Sequence, residues 1–314
     1  MMMSTMLVYC CLYLAALVFV VACVVRAVYY SRMPLHLRWE LYPVPHEESA
    51  RVKHGGSYFE VTNWWEKPRH FNWIGELKAM LPEMLFQKAL WEFNRSLWVL
   101  SFPFHFGLYL LIGATGLLGG RALLTLWAPS LVAGDFGMVL RYVDAGVFAA
   151  GVVLAMLGAL SLLARRLTDA KLQTYTTAGD LFNLLFFVAT LGCLAAGYLI
   201  LPANAPHAVD LVSGMLTFDA GLHVPPVLAT GLILSALLTA YIPMTHMSHF
   251  IAKYFTYHSV RWDDRPNLRG SDLAKRVAEY LTYRPRWSAP HVGADGVRTW
   301  AEIATTNPAQ GGKK

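Results

Sequence analysis

The sequence predicts an all-α integral membrane protein, a bundle of five transmembrane helices with its N-terminus outside and its C-terminus in the cytoplasm. The chain has 314 residues, of which 56% are hydrophobic and 15% charged, whereas charged residues make up roughly a quarter of ordinary soluble domains. The mean hydropathy is +0.41. Apolar runs long enough to cross a bilayer, about 20 residues each, lie near residues 5–29, 96–119, 141–164, 179–201 and 225–250.

The first apolar run is expected to remain in the protein as a transmembrane helix. A secretory signal peptide begins with a basic segment, and residues 1–25 contain no Lys or Arg. The alternative is a cleaved leader, because residues 20–23, Val-Val-Ala-Cys, resemble a lipoprotein cleavage site. The apolar run continues beyond Cys23, which favours an uncleaved span.

Basic residues predict the orientation, because segments rich in Lys and Arg stay on the cytoplasmic side. Of the 26 basic residues, 24 fall in residues 26–95, in the turn after the third run, or in the tail from Lys253 onwards. Arg121 and Arg141 lie on the other side. The net charge of +6 therefore reports topology rather than a nucleic-acid-binding surface, and no nucleic-acid partner is expected.

The predicted organisation has four parts: a first transmembrane helix at 1–30, a cytoplasmic loop at 31–95, a four-helix region at 96–250 and a cytoplasmic tail at 251–314. Within the loop, residues 74–93 place apolar side chains at helical spacing and predict a helix at the membrane interface, broken at Pro82. In the tail, Ser271 is expected to cap a helix. Both polar segments are expected to dock onto a partner, because neither is long enough for a cofactor domain.

Three histidines fall at membrane depth: His105 in the second run, and His246 and His249 at the end of the fifth. An ionisable side chain there is a functional hypothesis by default, because it is costly unless it is bonded. His105 lies ten residues after Arg95, about 15 Å along a helix, and His249 lies four before Lys253, about 6 Å. Both imidazoles thus fall in the cytoplasmic half, where one haem b between two helices would accept an imidazole on each side.

The haem would be bound without a covalent link, because the four cysteines lie inside apolar runs and form no CxxCH motif. His105 is surrounded by aromatic residues and by Gly107, which would allow close approach of a macrocycle; helix packing through small residues is the alternative. His246 and His249 diverge by about 60° on a helix, so one haem takes only one of them. The other histidine would contact a propionate or line a quinone pocket.

Other candidate residues lie at the two membrane surfaces. Arg95 and Arg165 at the cytoplasmic rim would neutralise haem propionates, or they contribute only to topology. On the outer side, His223 precedes the fifth run and Asp144 lies one turn inside the third. His223 would ligate a second haem, exchange protons with a quinol, or simply be solvated at the start of a helix. Asp144 is an outer carboxylate whose position at membrane depth predicts a functional role.

Two motifs resemble those of a known family. They are Phe104-His105-Phe106-Gly107 in the second run and a Pro-X-Thr-X-X-X-His pattern at residues 243–249. Together with five spans, they resemble the respiratory nitrate reductase gamma-subunit family of dihaem cytochromes b. The resemblance implies that His105 and His249 ligate the haem nearer the cytoplasm, with His246 at a non-ligand position. The family's other haem takes histidines where this chain has Thr115 and Gly231, so one haem b is expected rather than two.

The polar segments resemble one branch of that family. Residues 34–47 and 257–264 are similar to the cytochrome b subunits of transmembrane redox complexes in sulfate- and metal-reducing bacteria. The resemblance implies an electron-transfer subunit of a quinone-linked oxidoreductase complex in the bacterial inner membrane, with menaquinone as substrate. It also implies a cytoplasmic heterodisulfide-reductase-like iron-sulfur subunit and a periplasmic multihaem cytochrome c as partners. The competing hypothesis is a non-redox anchor or a transporter, with metal-binding or structural histidines; a transporter would more often show internal repeats, which the sequence lacks.

Overall fold

The computed structural model describes residues 5–32, 62, 72–202, 205–219, 221–256, 267–286 and 293–306. Within these residues 81% are helical and there is no strand. Five helices are long and apolar enough to cross a membrane. These findings confirm the all-α class and the five spans, whereas the orientation of the termini stays a prediction.

The helices follow one another as α1 (Thr5–Ser31), α2 (Trp73–Phe86), α3 (Lys88–Phe93), α4 (Arg95–Trp127), α5 (Pro129–Val132), α6 (Asp135–Thr168), α7 (Ala170–Gln173), α8 (Ala178–Leu199), α9 (Ala208–Thr217), α10 (Pro226–Tyr241), α11 (His249–Thr256), α12 (Asp272–Leu281) and α13 (Trp300–Ala304). Two 3₁₀ turns, Ile242–Met244 and His246–Ser248, connect α10 to α11. The five spans are α1, α4, α6, α8 and α10 with its first 3₁₀ turn.

The fifth span differs from the continuous helix that its apolar run predicts. Its α-helix ends at Tyr241, and the chain continues through the two 3₁₀ turns. Pro243 lies in the first turn and is buried. Proline has no N–H to donate and clashes with the preceding turn of an α-helix, which accounts for the break. As a result His246 begins the second turn, and His249 begins α11.

The helix predicted in the polar loop is present, but the break predicted at Pro82 is wrong. Helix α2 continues through Pro82, and the break lies at Gln87, which has a left-handed backbone with φ of 52°. The Glu83 carboxylate accepts a hydrogen bond from the Ala89 backbone N–H at 2.8 Å. This contact satisfies one of the unpaired donors at the start of α3 and helps to fix the turn.

The chain divides into two compact units, of which the first comprises residues 1–27 and 77–251. In this unit α4 and α6 approach through glycines. A Cβ atom on Gly107 would overlap the backbone of Ala155, and one on Gly158 would overlap the backbone of Phe104. Small residues permit such close packing in membranes. At Gly231 of α10, a Cβ would lie 2.9 Å from the backbone nitrogen of Leu194 in α8.

Helix α1 is tied to the end segments of α9 and α10 by side chains that bond to backbone carbonyls. The Thr5 hydroxyl donates to the carbonyl of Leu222, and the Tyr13 hydroxyl donates to that of Met215 at 2.6 Å. Near its other end, Arg26 donates to two carbonyls beyond α10. An apolar cluster accompanies the first two bonds: Val8, Leu211, Val224, Leu228 and Ala229 are all buried.

The second unit comprises residues 28–76 and 252–314. Ser271 caps α12, as the sequence predicts: its hydroxyl accepts a hydrogen bond from the Ala274 N–H at 3.1 Å. Backbone N–H groups of Arg298 and Val297 donate to the Asp295 carboxylate and lower its pKa to about 2. The segments whose sequences resemble the sulfate- and metal-reducing branch, 34–47 and 257–264, lie outside the described residues.

Candidate functional site

His105 and His249 lie together in the structure. Their ring centroids are 6.1 Å apart and their planes are inclined by 70°. His105 is in the third turn of α4, and His249 is the first residue of α11. The break after α10 therefore brings the end of the fifth span next to the second span. The motif residues chosen from the sequence come together, although they are far apart along the chain.

The separation of the two rings fits a metal ion held between them. A bond of about 2 Å from a metal to each imidazole nitrogen, plus about 1.2 Å from that nitrogen to its ring centre, places two opposed rings roughly 6 Å apart. The observed distance is 6.1 Å. Two imidazoles bound on opposite sides of one iron are a ligand set that a b-type haem accepts. The donors present therefore fit the group that the sequence predicts.

The hydrogen bond of His105 selects the tautomer that can bind a metal. Its Nδ1 lies 2.8 Å from the carbonyl oxygen of Ser101 and 3.3 Å from the Ser101 hydroxyl. A carbonyl only accepts hydrogen bonds, so Nδ1 carries the proton and the lone pair is on Nε2. Metal-bound histidines commonly donate their second N–H to a backbone carbonyl, which also fixes the ring orientation. Ser101 is buried, so this bond is protected from water.

Aromatic side chains line the face of α4 that carries His105. Trp98, Phe102 and Tyr109 follow a spacing that places them on one face with His105. The rings of Trp98 and Phe102 stack at 4.6 Å with 9° between their planes. The Trp98 indole donates to the carbonyl of Phe86 in α2 at 2.8 Å. This aromatic face would provide the flat apolar surface that a macrocycle requires.

Gly107 has a different position from the one expected of a residue that touches a macrocycle. It lies two residues after His105, so it projects about 160° away from that side chain on an α-helix. Its Cα faces Ala155 and Gly151 of α6, where a Cβ would overlap the backbone. Of the two roles that the sequence allows for Gly107, the structure therefore favours helix packing over contact with a macrocycle. Gly107 thus sets the distance between α4 and α6.

His246 belongs to a polar cluster on α8. Its Nε2 lies 3.6 Å from Oδ1 of Asp180 and 3.3 Å from Nδ2 of Asn183. The Tyr241 hydroxyl donates to the buried Asn183 side chain at 2.9 Å, and Arg166 lies 3.6 Å from Asp180. The His246 side chain is 65% exposed. These contacts separate His246 from the imidazole pair and favour His249 as the partner of His105.

The two rim arginines have partners of their own. The Arg95 guanidinium lies 4.7 Å from the ring centroid of Trp91, a cation–π distance. Arg165 Nε lies 3.9 Å from the carboxylate of Asp169, one turn further along the chain. Neither contact buries the charge, because Arg165 remains 23% exposed and the Trp91 ring is 44% exposed. Their proposed contacts with propionates stay predictions.

At the opposite end of the spans, Asp144 forms a buried ion pair with Arg121. The atoms Nη1 and Oδ2 are 2.9 Å apart, and the side chains are only 11% and 12% exposed. From the sequence, Asp144 is a candidate functional residue, whereas Arg121 contributes only to the predicted orientation. Arg121 near the end of α4 and Asp144 near the start of α6 lie at the connected ends of consecutive spans, which is the sequence signal that could have paired them. His223, in contrast, is exposed in the segment before α10.

A groove of about 830 Å³ extends along α4 and α6 and includes Arg121 in its wall. Its lining is otherwise apolar and includes Gly113, Gly116 and Gly120 of α4, together with Trp127, Phe136 and Leu140. The three glycines have no atom within 4 Å of a Cβ position. Unlike Gly107, they face open space. The groove can therefore accept a flat apolar group next to the ion pair.

Comparison of the chain with protein-family models, with curated proteins and with solved structures finds no match. In the part of the chain that the structure describes, no three His, Cys, Asp or Glu side chains come together as ligands of one metal ion. The site is thus defined by its own geometry: two facing imidazoles and the elements that hold them.

Proposed function

We propose that this chain is a membrane cytochrome b subunit of a respiratory redox complex, with one haem b held by His105 and His249. The observation that carries the proposal is the pair of imidazoles 6.1 Å apart, one of which has its Nδ1 proton directed to a backbone carbonyl. When bound, the haem would supply one-electron transfer between menaquinone and partner subunits. The proposal makes the chain an electron-transfer subunit of a quinone-linked oxidoreductase complex.

The chain's own residues would hold the haem and adjust its environment. Ser101 orients His105 through its carbonyl, and the aromatic face of α4 would form one wall of the haem site. Gly107 keeps α4 close to α6, which holds that face in place. Arg95, Arg165 and the His246 cluster would contact the propionates, because cationic side chains form strong hydrogen bonds with carboxylates.

A single haem is favoured by the two positions where the family resemblance would require further histidines. The Thr115 hydroxyl donates to the carbonyl of Leu111 at 2.8 Å within α4. Gly231 lies against the backbone of Leu194, where a larger side chain would not fit without a shift of the helices. Neither position offers a ligand, and the second is occupied by helix packing.

The groove beside Arg121 and Asp144 is the menaquinone site in this proposal. Its apolar lining and its row of open glycines suit a planar ring with an isoprenoid tail. The ion pair at 2.9 Å offers a hydrogen-bond donor for a quinone oxygen and a carboxylate that can accept a proton. His223, exposed near the start of α10, would exchange protons with the surrounding water.

The predicted membrane and partners follow from the sequence rather than from the site. The basic bias of the loop and tail supports a cytoplasmic location for both in a bacterial inner membrane. The loop and tail would then bind a heterodisulfide-reductase-like iron-sulfur subunit. A periplasmic multihaem cytochrome c would bind on the other side.

A visible spectrum of the purified protein tests the proposal. After haem-replete expression, the reduced-minus-oxidised spectrum should show the Soret and alpha bands of a b-type haem, with one haem per chain. His105→Ala and His249→Ala should each abolish haem binding, because one imidazole is lost from the pair. His207→Ala is the matched control: His207 is exposed at the start of α9, and the variant keeps the bond that its backbone N–H donates to the Asp210 carboxylate.

Two outcomes would contradict this assignment. A wild-type protein without b-type bands would refute the cytochrome function and favour an anchor or a transporter whose histidines bind a metal ion or pack helices. Full haem content in His105→Ala would show that the ligand is wrong even if the protein is a cytochrome.

A further inference from the structure

Arg26 is a charged side chain within the first span, and its position in the structure gives it a role beyond topology. Its Nε donates to the carbonyl of Pro243 at 3.2 Å, and its Nη2 donates to that of Met244 at 2.9 Å. We propose that Arg26 is a positioning residue: it fixes the segment that carries His249 and places a positive charge near the haem. This inference rests on the proposed cytochrome function.

The two carbonyls accept these bonds because they lie beyond the end of α10. The last carbonyls of an α-helix have no partner within the helix, and in the hydrocarbon region there is no water to replace one. Helix α10 ends at Tyr241, and Pro243 interrupts the helical hydrogen bonds. A guanidinium has five N–H donors, and the C-terminal end of a helix favours a positive charge.

The segment from Met244 to His249 links a residue that accepts a bond from Arg26 with the proposed ligand His249. The Thr245 hydroxyl accepts a hydrogen bond from the Met247 N–H at 3.2 Å, and the Ser248 hydroxyl donates to the carbonyl of Thr245 at 2.8 Å. Ser248 is only 2% exposed. Both bonds hold the second turn to Thr245, and the Thr245 hydroxyl also donates to the carbonyl of Ile242 in the first turn at 3.1 Å, so the segment has little freedom to bend. If Arg26 releases the Met244 carbonyl, the ring of His249 is expected to reorient.

The charge of Arg26 acts on the same site. Met244 and His249 are separated by the extended residue Thr245 and the second 3₁₀ turn, which places them on the order of 10 Å apart. The two carbonyl acceptors are neutral, so these bonds do not cancel the charge of the guanidinium. At about 10 Å and an effective dielectric constant of about 20, a unit charge changes a one-electron reduction equilibrium by roughly tenfold. A positive charge favours the reduced form.

Tyr13 provides a matched control on the same helix. Its hydroxyl also links α1 to a backbone carbonyl, that of Met215, at 2.6 Å. Met215 lies in α9, and the Thr5 bond to Leu222 just before α10 is near the same end of α1. Tyr13→Phe therefore removes a comparable hydrogen bond without touching the segment that carries His249.

The experiment uses the full-length haem-loaded protein and measures the haem midpoint potential and the ferric electron paramagnetic resonance spectrum, which responds to the orientation of the axial imidazoles. Arg26→Gln keeps a donor but removes the charge, so the reduction equilibrium constant should fall about tenfold, equivalent to about 59 mV for one electron, with little spectral change. Arg26→Leu should lower the potential and also shift the ferric signal. Arg26→Lys should retain the wild-type potential, and Tyr13→Phe should retain both properties.

The inference and the proposed function fail in different ways. Wild-type potential and ferric signal in both Arg26→Leu and Arg26→Gln would overturn the role of Arg26 while leaving the cytochrome intact. A fall in potential in Arg26→Lys equal to that in Arg26→Leu would overturn the effect of the charge. A wild-type protein that binds no haem would refute the proposed function itself, and the inference with it.

Discussion

The two ends of the helical bundle solve the problem of polar groups in a membrane in opposite ways. At one end, Arg121 and Asp144 neutralise each other at 2.9 Å. At the other end, the imidazole rings of His105 and His249 lie 6.1 Å apart, a separation that would accommodate a metal ion bound by both. The charges of the ion pair are neutralised within the chain, whereas the two imidazoles are the donors of the haem site proposed above. Under the proposed function, the comparison separates polar residues that stabilise the fold from polar residues that would bind a ligand.

The largest effect on stability is expected at the ion-pair end. Arg121→Leu leaves the buried Asp144 carboxylate without its partner, and breaking such a pair typically costs about 3–5 kcal/mol. The double variant Arg121→Leu/Asp144→Leu should recover much of that loss, because it removes both charges. Thermal unfolding of the purified variants measures both quantities, and the haem spectrum should remain that of the wild type.

The same variants test whether the two ends of the bundle are independent. A double variant as unstable as Arg121→Leu would mean that the pair itself, and not the unpaired charge, dominates the free energy of unfolding. Loss of haem in Arg121→Leu at a temperature where the protein stays folded would show that the two ends are not independent. Either result would also change the interpretation of the quinone groove beside Arg121.

The sequence could predict the spans and the two imidazoles but not the ion pair. A span is an average over about 20 residues, so one charge such as Arg121 does not hide it, and the average carries no information on which helix the charge faces. His105, His246 and His249 are notable because histidine is rare and costly at membrane depth, and only the family resemblance favours His249 over His246. The pairing of Arg121 with Asp144 requires the register between α4 and α6, which depends on close packing at Gly107 and Gly158.

Breaks in the helical backbone also differ in whether their cause is local in the sequence or lies in tertiary contacts. The end of α10 has a local cause in Pro243, although the apolar run predicts a continuous helix there, and Pro82 shows that a proline alone does not decide a break. The break at Gln87 has no such local cause, because a non-glycine residue with φ of 52° is held by its surroundings rather than by its own preference. The bond from Glu83 to the Ala89 N–H is part of those surroundings. The hydrogen bonds of Arg26 cannot be predicted from the sequence for a similar reason, because its carbonyl acceptors become available only where the helix of the fifth span ends.

Two glycines on α4 differ in their surroundings, because Gly107 packs against α6 whereas Gly113 faces open space. Gly107→Ala places a methyl group into the backbone of Ala155, whereas Gly113→Ala meets no atom within 4 Å. Overpacking of this kind typically costs about 1–3 kcal/mol, so Gly107→Ala should lower both the unfolding temperature and the haem content. Gly113→Ala should leave both unchanged. Equal stability of the two variants would show that α4 and α6 are not held together at Gly107.

Tyr241→Phe tests whether the polar cluster around His246 is separate from the imidazole pair. The variant removes the hydrogen bond to Asn183 at 2.9 Å but keeps the ring that packs against Phe182 and Phe186. The loss of one hydrogen bond should cost about 1 kcal/mol, measured by thermal unfolding, and the haem spectrum should not change. Thr230→Val, which removes an exposed hydroxyl on the same helix, is the control and should have almost no effect. An altered haem spectrum in Tyr241→Phe would favour His246 as the ligand in place of His249.

The smallest effect is expected at Ser101, whose two oxygens differ in their distance from His105. The backbone carbonyl lies 2.8 Å from Nδ1 and the hydroxyl 3.3 Å, so the shorter bond survives in Ser101→Ala. Because the carbonyl alone fixes the tautomer with the lone pair on Nε2, Ser101→Ala should retain full haem content and nearly the wild-type midpoint potential. A redox titration of this variant beside His105→Ala measures the difference between losing a weak contact and losing a ligand. If Ser101→Ala also loses its haem, the hydroxyl rather than the carbonyl orients the imidazole, and the tautomer would have to be reassigned.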